Sequence, residues 1–230
     1  MEGDADIAKI GALVADPARA RILLALGDGR TLPATALADE AGVSASTASA
    51  HLGKLVAGGM LEVERDGRHR YFRVAGPAVA ELIEALARLS PPSSVHPLHK
   101  GTKPQAVRFA RTCYDHLAGS LGTSLMDAML KRELLAAGPG HMLTPRGADE
   151  LTGFGIDLPS LRERRRPLVR HCVDWSEQRH HLAGALGAAV AERMFELGWV
   201  KRSPNGRAVL VTDDGYRGLR QTFGVELGPR

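Results

Sequence analysis

Residues 43–57 read Val43-Ser44-Ala45-Ser46-Thr47-Ala48-Ser49-Ala50-His51-Leu52-Gly53-Lys54-Leu55-Val56-Ala57. Wound at about 100° per residue from Ser44 to about Ala57, this stretch forms a helix with two chemically opposite faces. Ala48, Leu52, Leu55 and Val56 make a narrow apolar stripe. The other side carries Ser46, Thr47, Ala50 and Lys54, small or hydrogen-bonding groups that let a helix come close to base edges and phosphates. His51 falls at the boundary between the two faces.

Working outward from this helix, Ile7–Leu13 and Ala18–Leu26 carry apolar residues at helical spacing. Between them Asp16 is a cap and Pro17 a first-turn proline. Leu32–Ala41, closed by Gly42, reads as a third short helix. Beyond Gly58 and Gly59 the period changes to two through Leu61, Val63 and Arg65, then Tyr71 and Arg73 before Val74, about the turn Asp66-Gly67. That is a hairpin, and Arg65, Arg68, His69 and Arg70 make its tip and return strand cationic, a suitable partner for phosphates or a minor groove. Pro77–Leu89, with Val79, Leu82, Ile83, Leu86 and Leu89 apolar, follows as an amphipathic helix.

These residues resemble the ArsR family of repressors over about 80 positions. The resemblance is carried by Asp16-Pro17-Ala18-Arg19, by Val43–Leu52 with Leu55, Gly59 and Leu61, and by the wing Arg65-Asp66-Gly67-Arg68-His69-Arg70-Tyr71. It implies a winged helix-turn-helix homodimer that binds an inverted repeat in double-stranded DNA and leaves it on a signal. It also implies that the first helix and Pro77–Leu89 form the dimer interface; the bland alternative for Pro77–Leu89 is packing only within its own domain. The candidate DNA-binding residues are therefore Ser44, Ser46, Thr47, Ala50, His51, Lys54, Arg65, Arg68, His69 and Arg70. The bland alternative is a solvated helix face and a solvated basic turn, with His51 packed or bonded to a phosphate. The family's metal sites have no counterpart in the first half. The third helix contains no cysteine in Leu37-Ala38-Asp39-Glu40-Ala41, and Pro77–Leu89 contains neither His nor Cys.

At 230 residues the chain exceeds one typical domain, and its 44% hydrophobic and 24% charged content is that of a globular protein. The start Met1-Glu2-Gly3-Asp4-Ala5-Asp6 is acidic where a secretory signal is basic, and no long uncharged apolar run occurs. Two cysteines, Cys113 and Cys172, do not make a disulfide scaffold. A cytoplasmic protein with no membrane partner is expected. The net charge of +4 permits nucleic-acid binding without requiring it.

Three segments follow: a DNA-binding domain over 1–89, a linker over 90–105 rich in proline and containing His96 and His99, and a second domain over 106–230. The second domain contains a repeat. His116-Leu117-Ala118-Gly119-Ser120-Leu121-Gly122 recurs 65 residues later as His181-Leu182-Ala183-Gly184-Ala185-Leu186-Gly187, and the likeness continues into the following helix. Each copy then reaches a second element, Leu143-Thr144 to Leu158 in one and Val211-Thr212 to Leu227 in the other. In the second copy a hairpin is signalled around Pro204-Asn205-Gly206, and Gly138-Pro139-Gly140 shortens the corresponding link in the first. The expected class is mostly α with small β-hairpins (α+β): a winged helix-turn-helix followed by a duplicated helix-hairpin-helix domain packed about a pseudo-twofold axis.

Cysteine and histidine gather just before each repeated helix. Cys113 and His116 lie on one side, and His171, Cys172, Asp174, His180 and His181 on the other. Three readings stand open: a zinc-like transition-metal ion held by thiolates and imidazoles, a thiol switched by oxidation or a small-molecule pocket, or a set of helix caps. The first two place a sensor for the DNA-binding half in this domain. The run Arg162–Arg166 either touches flanking DNA or solvates a helix end. A cysteine-dependent enzyme is the rival class, but no oxyanion loop, phosphate loop or cofactor fingerprint accompanies either cysteine. A regulator, not an enzyme, is expected; a DNA-binding scaffold without ligand sensing is the other alternative.

Overall fold

The computed structural model describes residues 4–67, 69–90, 104–138, 141–203 and 206–228. Arg68, most of the linker including His96 and His99, and the turn residues Pro139, Gly140, Pro204 and Asn205 lie outside the described residues. The chain forms two compact units, Met1–Gly101 and Thr102–Arg230.

In the first unit, α1 (Ile7–Val14) and α2 (Pro17–Leu26) are separated by Asp16, whose carboxylate accepts from the Ala18 and Arg19 amides at the start of α2. The third helix is two residues shorter than its sequence suggests. Leu32 and Pro33 form a short strand β1, and α3 runs over Ala34–Ala41. The reason is pairing: Leu32 sits opposite Phe72 and Pro33 opposite Tyr71 on the return strand of the wing, an alternative partner that local periodicity does not reveal. Ser44 caps α4 (Ala45–Ala57) by accepting from the Thr47 amide. The wing is β2 (Leu61–Asp66) against β3 (His69–Val74), giving a three-stranded sheet in the order β1-β3-β2, and α5 (Pro77–Leu89) follows. Ile22, Leu23, Leu26, Leu37, Ala48, Leu52, Leu55, Phe72 and Ile83 fill the core. Each large aliphatic side chain so buried contributes roughly 1.5–3 kcal/mol.

The second unit opens with α6 (Pro104–Phe109) and then runs twice through the same order of elements. The first pass is the hairpin β4 (Arg111–Cys113) and β5 (His116–Ala118), the helix α7 (Gly119–Lys131), the hairpin β6 (Leu135–Ala136) and β7 (Met142–Leu143), and α8 (Pro145–Gly153). After α9 (Leu158–Arg162) comes the hairpin β8 (Arg170–Val173) and β9 (His180–Ala183), then α10 (Gly184–Glu196), the hairpin β10 (Val200–Arg202) and β11 (Val209–Val211), and α11 (Asp213–Phe223). Each pass thus begins with a hairpin that the helix-hairpin-helix reading did not include. These strands are only three or four residues long and contain polar residues at buried positions, so they carry little alternation to read.

The two passes interlock. Helix α7 packs on β9 and α10 on β5, each helix lying against the other pass's hairpin. Corresponding glycines fit each helix tightly against the strand that leads into it and closely against the other pass's histidine. A Cβ on Gly122 would stand 2.5 Å from the Leu117 carbonyl and 3.4 Å from the His181 Cβ. On Gly187 it would stand 2.6 Å from the Leu182 carbonyl and 3.3 Å from the His116 Cβ. Corresponding threonines cap the last helices: the Thr144 hydroxyl accepts from the Gly147 amide, and the Thr212 hydroxyl from the Gly215 amide. Leu121, Leu125, Met126, Met129, Leu186, Val190, Met194, Leu219 and Phe223 lie in one shared core.

Gly187→Ala is expected to destabilise this unit by roughly 1–3 kcal/mol through overpacking against a backbone carbonyl. Gly153→Ala, with nothing within 4 Å of its added methyl, is expected to be neutral or stabilising by up to about 1 kcal/mol. Both tryptophans, Trp175 and Trp199, belong to this unit, so urea denaturation followed by tryptophan fluorescence measures the difference.

Candidate functional site

Helix α4 divides as its sequence suggests. Ala48, Leu52 and Leu55 are buried, while Ser44, Ser46, Thr47, Ala50 and Lys54 are exposed. The hydroxyls at the helix start are ordered among themselves: the Ser44 hydroxyl lies 3.0 Å from that of Ser46 and 2.8 Å from that of Thr47. His51 is half-buried, its Nδ1 3.8 Å from the Asp16 carboxylate, which places it at the joint between α2 and α4. On the wing, Arg65 faces Arg70 directly across the strands and Asp66 faces His69. Two like charges opposite one another are unfavourable in a bare hairpin, and an anion beside them removes that repulsion. Arg70 also donates to the Ser49 hydroxyl at 3.1 Å, joining the wing to α4. Ser49 has no place among the sequence-derived candidates because its role depends on a contact 21 residues away.

In the second unit the structure sorts seven candidates into different places. Across β4 and β5, Cys113 is paired directly with His116; across β8 and β9, Cys172 is paired directly with His181. The ligand atoms of these four side chains all lie within 4.8 Å of one another. Cys113, His116 and His181 are buried and Cys172 half-buried. His116 Nε2 stands 3.1 Å from His181 Nε2, close to the separation of about 3.3 Å expected for two nitrogens on one tetrahedral ion with bonds near 2.0–2.1 Å. Two thiols and two imidazoles are a donor set suited to a zinc-like ion.

Behind each imidazole stands a carboxylate. His116 Nδ1 lies 3.1 Å from Asp115 Oδ1, and Asp115 is itself paired with Arg166. His181 Nδ1 lies 3.8 Å from Asp174 Oδ2. The Asp115 contact holds the His116 ring with its other nitrogen turned towards an ion, whereas His181 Nδ1 makes no hydrogen bond among the described residues. Asp174 was a candidate ligand, but its oxygens are occupied. It takes Arg111 at 2.8 Å, the Gly119 amide at 2.6 Å, and the Ser176 and Glu177 amides with the Ser176 hydroxyl. Arg111 and Asp174 are fully buried, and Arg111 lies over the Trp175 ring at 4.6 Å. Arg111, Asp115 and Arg166 are absent from the sequence-derived set: Asp115 is the neighbour of His116 in the chain, while the arginines reach the two carboxylates only through contacts 63 and 51 residues long.

Charge follows this arrangement. The hydrogen bond from Cys113, with His116 and His181 close by, outweighs burial and holds the Cys172 thiol far below the ordinary thiol range. Burial opposes protonation of His116, but its contacts with Asp115 and Cys172 prevail and raise its pKa. Burial likewise works against ionisation of Asp174, yet Arg111 and the surrounding donors bring its pKa down to about 2. His171 and His180 are not part of this cluster. They project from the other face of the same hairpin, beside His141, and burial together with these two neighbours lowers the His171 pKa.

A helix-turn-helix domain model matches residues 14–64, from the end of α1 into β2. Over nearly the whole length the chain is 40% identical to YdfF of Bacillus subtilis (strain 168), described as an uncharacterized HTH-type transcriptional regulator. The match spans 223 residues, 96% of this chain and 99% of that one. The chain belongs to the HTH-type transcriptional regulators. The regulator is also 38% identical over 76 residues, 33% of each chain, to the HTH-type transcriptional regulator Rv0324 of Mycobacterium tuberculosis. Among solved structures, the homodimeric winged helix-turn-helix DNA-binding domain of Mb0332 from Mycobacterium bovis is 35% identical. That match covers 39% of the regulator and 88% of the domain, at a TM-score of 0.33. The relatives are named transcriptional regulators, as the reading of a regulator and not an enzyme expects. No helix among the described residues is long and apolar enough to cross a membrane.

Replacing Arg111 by Met leaves Asp174 buried without its counter-ion, which is expected to cost roughly 3–5 kcal/mol. The tryptophan-monitored urea midpoint should fall accordingly. Replacing the exposed Arg164 should leave it unchanged.

Proposed function

We propose that the regulator is a cytoplasmic, dimeric ArsR-type repressor. It sets α4 in the major groove of an inverted-repeat operator and lays the β2–β3 wing on the flanking backbone. Ser46, Thr47 and Ala50 meet base edges; Ser44, Lys54, Arg65, His69 and Arg70, with Arg68 outside the described residues, meet phosphates; His51 steadies α4 from Asp16. The opposed Arg65–Arg70 pair supports the wing's role, because phosphate relieves it. Ile7 on α1 is 78% exposed, and Leu86 and Leu89 on α5 are 37% and 85% exposed. These apolar side chains support a dimer formed through α1 and α5.

The second unit, a tandem duplication joined through the 90–105 linker in this reading, is the sensor. It takes up a zinc-like transition-metal ion at Cys113, His116, Cys172 and His181, and occupancy releases the DNA. The observation that carries this is the convergence of two cross-strand Cys–His pairs on one point. The ion would supply the positive charge that holds two thiolates together in a buried site. A second reading rests on the same proximity: with both sulfur atoms in one cluster and Cys172 acidic, oxidation to a disulfide is the alternative signal.

Fluorescence anisotropy with DNA from upstream of the regulator's own gene tests both. A salt-sensitive complex weakened by zinc and restored by chelation is expected for the wild type. Cys172→Ser and His181→Ala should keep DNA binding and lose the zinc response. Release by mild oxidation, reversed by a thiol and indifferent to chelators, would replace the metal with the disulfide. A complex indifferent to every treatment would overturn the sensor. Lys54→Ala and Arg70→Ala should weaken all DNA sequences about equally and each lower the salt slope by about one. Thr47→Val should instead relax discrimination at one base pair by roughly 1–3 kcal/mol.

A further inference from the structure

The hairpin β8–β9 has a second functional face. Successive side chains of a strand point to opposite sides, so with Cys172 and His181 turned to the buried cluster, His171 and His180 project the other way. His171 is paired with Leu182, two residues from His180, which makes the two imidazoles diagonal neighbours. Their ring centroids are 4.3 Å apart.

A third imidazole arrives from another element. His141, immediately before β7, has its Nδ1 3.4 Å from His171 Nδ1, and its ring centroid is 6.1 Å from that of His180. His141 adopts a left-handed backbone, φ 49°, a conformation costing a non-glycine residue of order 1–3 kcal/mol. Two of the three rings, His141 and His180, line an open cleft of about 310 Å³ with Met126, Leu130 and Asp127, and His171 stands behind them in contact with both. Asp127 is paired with Arg179, and Gln178, whose amide nitrogen donates to the Trp175 carbonyl, lines the same cleft.

We propose that His141, His171 and His180 form a second, solvent-accessible metal site that takes a borderline divalent transition ion of the nickel, cobalt, copper or zinc class through nitrogen alone. The 3.4 Å between two ring nitrogens is the spacing of adjacent ligands on one ion, about 3.3 Å at bonds near 2.0–2.1 Å. His180 is exposed and free to swing its ring onto the same ion. Imidazole is the side chain these ions favour when no thiolate is offered, and three protein ligands leave a coordination position open towards the cleft. This site does not depend on the buried cluster being a metal centre.

Cobalt(II) distinguishes the two sites. The full chain, stripped of metal and dialysed against cobalt, is analysed for bound ion and by absorption spectroscopy, in which thiolate ligation gives a charge-transfer band and imidazole ligation does not. The expected result is two ions per chain, one with the band and one without. His141→Ala and His180→Ala should each abolish uptake of the ion without the band and leave the band intact. The double variant Cys113→Ser, Cys172→Ser should do the reverse. One ion lacking the band, lost in the histidine variants, would uphold this site while removing the buried one. Absence of any ion without the band, or its retention in both histidine variants, would overturn the proposal.

Discussion

Two thiols and two imidazoles withdrawn from water lose hydration that only one another, their hydrogen-bonded neighbours or a bound ion can replace. In the second unit this constraint governs the packing. The cross-strand pairs Cys113–His116 and Cys172–His181 meet at one point, and each histidine is backed by a carboxylate that is backed in turn by an arginine. Any side chain at Gly122 or Gly187 would strike the carbonyl of Leu117 or Leu182 in its own pass and stand 3.3–3.4 Å from the other hairpin's histidine. The helices α7 and α10 are therefore bound to the same centre as the ligands, and any change in that centre acts on the packing of the unit.

In the first unit the constraint is electrostatic and steric. A helix enters a groove only with small residues on its leading face, and α4 supplies serine, threonine and alanine there while Leu52 and Leu55 anchor its back. The wing carries like charges directly opposite each other at Arg65 and Arg70, which weakens the isolated hairpin and favours an anionic partner. The Arg70–Ser49 hydrogen bond couples the position of the wing to that of the helix it flanks.

One hairpin illustrates why the candidate residues needed the fold to be sorted. His171-Cys172 and His180-His181 are adjacent in sequence and indistinguishable by composition, yet strand pleating sends one of each pair inward and the other outward. Asp174 has the chemistry of a ligand, but five donors already occupy it. His141 lies outside every motif and is known to reach the outer face only from the fold, where its ring meets those of His171 and His180.

What the sequence by itself determined is local. The amphipathic period of α4, the cap at Asp16 and the alternation of the wing all arise between residues close in the chain, where spacing dictates geometry, and the 65-residue repeat is a likeness of sequence legible without any contact. The short strands β1, β4, β5, β8 and β9 were decided by tertiary structure, since two to four residues hold too little pattern to declare a partner. So were the division of the histidines between two faces and the arginine–carboxylate pairs behind the buried ones. Those contacts join residues as far as 63 apart, and their energy exists only once the two passes of the chain have packed against each other.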